Sequence, residues 1–166
     1  MTVFRCVSGS IFDSKAEMWL NPVNTMGVMG GGLAGQFANC FPDVLEDYKI
    51  QCQGGRWERG ALHVVVRSEQ HPLYVVNFPT KRHWKSPSDL ELIREGLKEL
   101  RRIMEEDQIK SLAVPALGCG LGGLDWCDVY PEIIEALQEI PDLEVEVYPP
   151  NAGSGCEIKE QKEEVK

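Results

Sequence analysis

The sequence lacks any long apolar segment. No run approaches the roughly 20 apolar residues that a helix needs to cross a bilayer, and the hydrophobic share of 43% is ordinary for a globular protein. The N-terminus, residues 1–6, also lacks the basic stretch followed by an apolar stretch that marks a secretory signal. These absences predict a soluble protein of the cytoplasm that does not bind membranes.

Histidine is scarce and cysteine is scattered, which argues against a metal site. Only three histidines are present, and the cysteines show no C-x-x-C spacing. We therefore expect no bound metal and no cofactor. We also expect free thiols at Cys6, Cys40, Cys52, Cys119, Cys127 and Cys156.

Positive charge is also in short supply. The chain has 17 Lys and Arg against 26 Asp and Glu, a net charge of −9. This balance argues against a protein whose whole surface wraps nucleic acid, because such binding depends on many cations. A local basic patch would still allow contact with a short strand.

Strand-like and helix-like segments alternate, which predicts one α/β domain over residues 1–148. Strands are predicted at 3–7, 18–21, 61–66, 73–78, 111–114 and 144–148. Helices are predicted at 33–40, 43–52, 88–106 and 126–140, with Ser88 and Glu91 as a capping box for the third. The order predicts a largely parallel sheet between helical layers, with 61–66 and 73–78 as neighbouring strands. Residues 149–166 are expected to form a disordered polar tail or linker.

A glycine-rich loop follows the second predicted strand. Asn24 is followed by Gly27, Gly30, Gly31 and Gly32 before the next helix. Glycine lets bare backbone approach a ligand, and the N–H groups of a helix N-terminus favour negative charge. The segment matches neither a P-loop nor a Rossmann fingerprint. It therefore predicts an anion site of another kind, the alternative being a tight structural turn.

A second glycine-rich loop lies between the fifth predicted strand and the last helix. It contains Gly118, Gly120, Gly122 and Gly123. Parallel strands end at the same edge of a sheet, so the two loops are expected to face each other there. Such paired loops can hold both phosphates of a diphosphate through backbone N–H groups. The pair predicts a site for a nucleotide with a diphosphate, with ADP-ribose as the best candidate.

These loops resemble the ligand loops of macro domains, a family that binds ADP-ribose. The resemblance rests on Asn24, the glycine run 30–32 and the segment 118–122, and it covers about residues 1–148. It implies a three-layer α/β/α fold with a central mixed sheet. It also implies ADP-ribose contacts at Ser10, Ile11, Thr25, Gly30, Gly31, Gly32, Leu33, Thr80, Gly118, Cys119, Gly120, Leu121 and Gly122.

Ser10 stands where macro domains commonly have an aspartate that accepts the adenine amine. The Ser10 hydroxyl and the Ile11 N–H are candidates for holding adenine instead. The alternative is that Ser10 is only a turn residue.

The segment 77–84, Asn-Phe-Pro-Thr-Lys-Arg-His-Trp, more narrowly resembles the DarG-type macro domains. These antitoxins remove ADP-ribose from DNA thymine after a DarT-type toxin has attached it. The resemblance implies a metal-independent DNA ADP-ribosyl glycohydrolase that acts on single-stranded DNA, with Lys81 as the essential residue and a DarT-type toxin as a partner. Partial burial would free the Lys81 amine as a nucleophile, and Asn24 is expected to hold the distal ribose. The alternative is a solvated surface lysine.

Gly122 departs from the pattern of a related enzyme, the terminal ADP-ribose protein glycohydrolase. That enzyme has a catalytic aspartate at the matching position, so the glycine disfavours action on protein carboxylates. Asp125 is expected to cap the following helix. Two alternatives stay open: a module that only reads ADP-ribose, and a hydrolase of ADP-ribosylated protein carboxylates or of ADP-ribose 1″-phosphate.

The segment 82–85 interleaves cations with an aromatic ring. Arg82, His83, Trp84 and Lys85 are candidates for contact with the phosphates and a base of single-stranded DNA. The alternative is a solvated loop in which Trp84 packs against the core.

Overall fold

The computed structural model describes residues 1–150, in which strands and helices alternate. The strands are β1 (Val3–Cys6), β2 (Met18–Asn24), β3 (His63–Val66), β4 (Tyr74–Lys81), β5 (Ser111–Val114) and β6 (Glu144–Val147). The helices are α1 (Gly32–Cys40), α2 (Pro42–Cys52), α3 (Leu90–Glu106) and α4 (Trp126–Leu137), with 3₁₀ turns at Ile11–Asp13 and Gln53–Gly55. None of the helices in residues 1–150 has the length and apolar composition of a membrane span. The predicted tail lies outside the described part from residue 151 onward.

The strands form one sheet in the order β1-β6-β5-β2-β4-β3. Neighbours are parallel except β3, which is antiparallel to β4 with Val64 opposite Val76. The prediction of a mixed, largely parallel sheet is confirmed, and so is the pairing of segments 61–66 and 73–78. β4 runs on to Lys81 instead of ending at Phe78.

Apolar side chains cover both faces of this sheet. On one face, Ile93 of α3 and Ile133 of α4 are buried with Leu20 of β2. On the other face, Phe37 of α1 is buried with Trp19 of β2. Because side chains alternate between the faces of a strand, β2 supplies both cores. The three-layer α/β/α architecture is thereby confirmed.

β2 continues past its predicted end at Asn21, although the next residue is Pro22. β5 pairs with β2 only at Met18 and Trp19, so the later part of β2 has a partner, β4, on one side only. Proline lacks an N–H and is tolerated where no neighbouring strand needs that donor. β2 and β5 thus part toward their carboxyl ends, where both glycine loops begin.

Two predicted helix boundaries are wrong by more than one residue. Asp89, not Ser88, caps α3, because its carboxylate accepts hydrogen bonds from two N–H groups of the first turn at 3.0 and 3.4 Å. α4 ends at Leu137 instead of residue 140, because Gln138 is extended with ψ of 154° and Glu139 then adopts a left-handed backbone with φ of 61°. That conformation is incompatible with a right-handed helix.

The prediction of free thiols is confirmed at four cysteines and wrong at one. Cys6, Cys40, Cys52 and Cys119 are free, whereas Cys127 is disulfide-bonded. The prediction used spacing along the chain, but a disulfide requires only that two cysteines approach each other in space. Cys156 lies outside the described residues.

Gly96 sets the distance between α3 and β4. A Cβ at this position would lie 2.6 Å from Cζ of Phe78, which is fully buried. We expect Gly96→Ala to lower the free energy of unfolding by about 1–3 kcal/mol through overpacking, even though alanine favours helix. Denaturant titration measures the change. Gly120→Ala is the matched control, since a Cβ there meets open space. Equal stability of Gly96→Ala and wild type would contradict the close packing.

Candidate active site

A cleft of about 930 Å³ lies at the carboxyl ends of the central strands, the edge at which parallel sheets bind ligands. Predicted site residues that line it are Ser10, Ile11, Asn24, Gly30, Gly31, Gly32, Leu33, Thr80, Lys81, Trp84, Gly118, Gly120, Leu121 and Gly122. Within the described chain, five predicted residues are not among its lining: Thr25, Cys119, Arg82, His83 and Lys85. The cleft therefore brings together both glycine loops, the exit of β1 and the end of β4.

Asn24, at the end of β2, organises the first glycine loop. Its Oδ1 accepts a hydrogen bond from the Met26 N–H at 3.0 Å, and its Nδ2 donates to Val28 O at 2.7 Å. The Tyr48 hydroxyl lies 2.9 Å from the same Oδ1. Burial raises the pKa of Tyr48 far above its usual range, so this hydroxyl keeps its proton and donates. Contact of Asn24 with the distal ribose stays a prediction. In that contact, Asn24 would use the same side-chain amide atoms that already hydrogen-bond to the loop.

The first loop leads into α1 at Gly31, the N-cap, and no side chain of the described residues caps this helix end. First-turn N–H groups have no partner inside their own helix and attract anions. Leu121 of the second loop reaches this point, since its Cδ1 lies 3.4 Å from a Cβ placed on Gly31 and 3.3 Å from one placed on Gly32. Leu121 is 79% exposed. The two glycine loops thus face each other, as predicted. They approach each other through the exposed Leu121 side chain.

The glycines of the second loop have two different roles. A Cβ on Gly118 would lie 2.8 Å from Leu124 Cδ1, and its φ of +73° also favours glycine. A Cβ on Gly122 would overlap Ser88 Oγ and lie 2.6 Å from Gly118 O. A Cβ on Gly120 would have nothing within 4 Å. Packing therefore requires glycine at 118 and 122, whereas Gly120 offers bare backbone to the cleft.

Ser88 is a cleft residue that the sequence pattern did not indicate. Its N–H donates to Gly122 O at 2.9 Å, and its Oγ lies 3.4 Å from Thr80 Oγ1. Ser88 is 7% exposed and lines the cleft, so it links the second loop to the strand that carries Lys81. Its position before a helix suggested a capping residue, and nothing along the chain reveals its contact with Gly122.

Lys81 reaches the cleft through an irregularity at the end of β4. Val23 pairs with Pro79, whereas the next residue, Asn24, pairs with Lys81. Thr80 is therefore an extra residue, as in a β-bulge, a feature that re-aims side chains next to active sites. As a result Thr80 and Lys81 both line the cleft, and Lys81 is half-buried.

Comparison with known proteins shows the family of the chain. The family model described as "Macro domain" matches residues 20–133, more than half of the sequence. The chain belongs to the macro domain family. This macro domain is also 42% identical over 148 residues to the "DNA ADP-ribosyl glycohydrolase" of Mycobacterium tuberculosis, and 42% identical over 149 residues to that of Thermus aquaticus, in each case over 89% of the chain. It spans about two-fifths of the length of these curated relatives, 42% and 41%.

Solved structures give the same result. The macrodomain of Thermus aquaticus DarG has a TM-score of 0.85 and 41% identity, covering 90% of this chain and 100% of that one. The macrodomain of Mycobacterium tuberculosis DarG has a TM-score of 0.83 and 40% identity, covering 90% and 98%. Thermosipho africanus DarTG in complex with ADP-ribose has a TM-score of 0.84 and 37% identity, covering 90% and 42%. The predicted resemblance to DarG-type macro domains is confirmed.

Residues of the segment 82–85 of this macro domain line two different cavities. Trp84 lines the cleft and is 48% exposed, so the alternative that it packs against the core is wrong. Its ring stacks on His83 with centroids 5.6 Å apart, and Lys85 Nζ lies 4.9 Å from its centroid. Arg82 instead lines a separate cavity. Within residues 1–150, Lys81, Arg82 and Lys85 form no ion pair.

Ser10 of the macro domain both lines the cleft and shapes a turn. Its Oγ accepts a hydrogen bond from the Phe12 N–H at 3.1 Å and caps the turn Ile11–Asp13. A hydroxyl has one proton and two lone pairs, so Ser10 can still donate to a ring nitrogen of adenine. Both interpretations of Ser10, as a turn residue and as a ligand contact, fit this geometry.

Cys119 shapes the second loop and does not supply a nucleophile. Its Sγ donates to Leu117 O at 3.4 Å, and its N–H donates to Ala116 O at 3.1 Å. Burial, together with the Asp125 and Asp128 carboxylates, raises the pKa of the Cys119 thiol to about 11. The thiol is therefore protonated at neutral pH, and only the thiolate is a good nucleophile.

Proposed function

We propose that this macro domain is a DNA ADP-ribosyl glycohydrolase that releases ADP-ribose from thymine bases of single-stranded DNA. The observation that carries the proposal is the position of Lys81, which the irregular end of β4 directs into a cleft lined by both glycine loops. Relatives named DNA ADP-ribosyl glycohydrolase, 42% identical over most of the chain, support the same activity.

ADP-ribose binds through the two loops. The N–H groups at the start of α1 and around Gly120 donate to the diphosphate, as helix N-termini and glycine loops do for other anions. The adenine lies toward Ser10 and Ile11, and the distal ribose lies toward Asn24 and Lys81. The related Thermosipho africanus structure in complex with ADP-ribose supports this choice of ligand.

Lys81 acts at C1″ of the distal ribose while the bond from C1″ to the thymine nitrogen breaks. In one version, Nζ forms a bond to C1″, thymine leaves and takes up a proton, and water then displaces the lysine. In the other version, the Lys81 ammonium stabilises the leaving thymine by charge and donates a proton to it, while water attacks C1″. Both versions yield free ADP-ribose and unmodified thymine without a metal.

The second loop supports DNA over protein as the substrate. A side chain at position 122 would overlap Ser88 Oγ, so this loop has no space for the aspartate of the protein-directed enzyme. Asp125 is already engaged as the N-cap of α4, where it accepts a hydrogen bond from the Cys127 N–H at 2.9 Å. The expectation that Asp125 caps this helix is confirmed.

A DarT-type toxin supplies the modified DNA in this proposal. The Thermosipho africanus relative, 36% identical over 160 residues, is named a fusion of a DNA ADP-ribosyl transferase and a DNA ADP-ribosyl glycohydrolase. A chain that joins both activities supports a toxin and an antitoxin working on the same DNA. We place the reaction in the cytoplasm.

Trp84 offers a test of the contact with DNA. We expect Trp84→Ala to raise KM for a thymine-ADP-ribosylated oligonucleotide by about tenfold, because stacking on an aromatic ring is worth about 1–3 kcal/mol per base. Trp84→Phe keeps a ring and should retain most of the affinity. Steady-state kinetics on the oligonucleotide measures both variants. An unchanged KM for Trp84→Ala would remove this residue from the DNA surface.

A comparison of two substrates tests the proposed function. The protein is incubated with a thymine-ADP-ribosylated oligonucleotide and, separately, with a glutamate-ADP-ribosylated protein, each carrying a radiolabel in the ADP-ribose. We expect the oligonucleotide to lose its label and the protein to keep it. Loss of label from the protein alone would assign the activity to carboxylate esters, and binding without any turnover would identify a reader module.

A further inference from the structure

We propose that a second cavity, separate from the ADP-ribose cleft, holds the nucleotide next to the modified thymine. This second cavity has a volume of about 390 Å³ and lies beside the end of β4, with Met26, Trp57, Arg59 and Arg82 in its lining. Its volume falls in the range of roughly 300–1,000 Å³ that is typical of small-ligand sites. The inference rests on the proposed function, since it concerns the DNA on either side of the reacting base.

The end of β4 separates the second cavity from the cleft. The Thr25 N–H donates to Arg82 O at 3.1 Å, and this bond extends the contact between β2 and β4 beyond the last paired residues. Pro79 and Arg82 line the second cavity, whereas the two residues between them, Thr80 and Lys81, line the cleft. Because Lys81 and Arg82 are adjacent in the chain, we place the nucleotide that neighbours a thymine held at Lys81 in the second cavity.

The walls of the second cavity suit a base. Met26 is 51% exposed and offers an apolar, adaptable surface. Trp57 is held in place because its Nε1 donates to Ala61 O at 2.8 Å and its ring contacts Tyr48 with centroids 6.2 Å apart. A fixed aromatic ring binds a base with little loss of side-chain entropy, and every base can stack on it. This cavity therefore recognises a base without selecting one sequence.

The charge in the second cavity suits one phosphodiester and not a second diphosphate. Arg59 is neutralised by Asp89 at 3.2 Å and by Glu95 at 2.9 Å. The exposed Glu58 carboxylate also lines this cavity and opposes a second negative charge there. Arg82 is exposed and forms no ion pair within residues 1–150. One unpaired guanidinium matches one backbone phosphate, which it can bind with two parallel hydrogen bonds. The occupant that fits both walls and charge is a nucleotide of the DNA strand.

The test compares one reaction on two substrates, ADP-ribosylated thymidine and a short single-stranded oligonucleotide that contains the same modified thymine. We expect wild type to have a kcat/KM at least about tenfold higher on the oligonucleotide, the effect of one charged hydrogen-bonded contact. Arg82→Gln should lower that preference by about tenfold and leave the nucleoside reaction unchanged. Arg56→Gln is the matched control, because Arg56 is exposed on the loop that carries Trp57 but is not part of the cavity lining.

Two results would overturn the second cavity. They are equal kcat/KM of wild type on both substrates, and an equal loss in Arg82→Gln and Arg56→Gln. If wild type hydrolyses neither substrate, the proposed function fails instead. A binding measurement then still decides about the cavity. With ADP-ribose at saturation, Arg82→Gln should weaken binding of an unmodified single-stranded oligonucleotide about tenfold relative to Arg56→Gln, and equal affinities would contradict the proposal.

Discussion

Replacing Lys81 with alanine is expected to lower kcat on thymine-ADP-ribosylated DNA by about 10²–10⁴-fold, the usual effect of removing an acid–base or nucleophilic group. Lys81 lines the cleft at the end of β4, whereas the glycine loops that we propose as the diphosphate site come from other parts of the chain. The affinity for free ADP-ribose should therefore change by no more than a few-fold. Single-turnover kinetics and calorimetry on the same preparation separate the two effects.

Two further lysine substitutions separate the chemical role of Lys81 from the loss of a positive charge. Lys81→Arg keeps the positive charge but removes the amine nucleophile. Substantial turnover by Lys81→Arg would support stabilisation by charge, and its absence would support attack by Nζ. Lys49→Ala, at an exposed position of α2, controls for loss of one positive charge and should behave as wild type. Full turnover by Lys81→Ala would remove this residue from the mechanism.

Gly120→Glu is expected to weaken ADP-ribose binding strongly without unfolding the protein. A Cβ at Gly120 has nothing within 4 Å, and the residue lines the cleft. The new side chain would therefore project into the site and keep the diphosphate from the backbone N–H groups. We expect a loss of affinity of about 100-fold, or about 2.8 kcal/mol. Isothermal calorimetry measures the affinity, and thermal unfolding confirms that the variant folds.

Graded substitutions at Gly120 separate steric from electrostatic causes. Gly120→Gln has nearly the size of glutamate without its charge, and it should lose most of the affinity if blocked approach is the cause. Gly120→Ala adds only one methyl group and should lose less. Unchanged affinity of a folded Gly120→Glu would contradict the assignment of the second loop to the diphosphate.

The sequence predicts the layers of this fold because each layer depends on local patterns. Alternating strand and helix segments are enough to place the glycine loops at one edge of a parallel sheet. The wrong start of α3 depended on competition between neighbouring residues. Asp89 and Ser88 are both good caps, and only the burial of Ser88 against Gly122 decides between them.

The finer features of the site depend on contacts between distant segments. The sequence marks Gly118, Gly120 and Gly122 alike, but the structure shows that two are required by packing and one faces open space. The irregular pairing at Thr80 is equally invisible along the chain, although it is what brings Lys81 to the cleft. These features depend on which elements pack together, which local patterns do not encode.

The most direct test of the account is the release of ADP-ribose from a single-stranded oligonucleotide that carries one ADP-ribosylated thymine. Mass spectrometry follows the oligonucleotide and the free ADP-ribose in the same reaction, with a chelator present. The account predicts that wild type converts the modified oligonucleotide to its unmodified mass with an equal amount of ADP-ribose, and that Lys81→Ala leaves it modified. An oligonucleotide that stays modified in the presence of folded, ADP-ribose-binding wild type would contradict it.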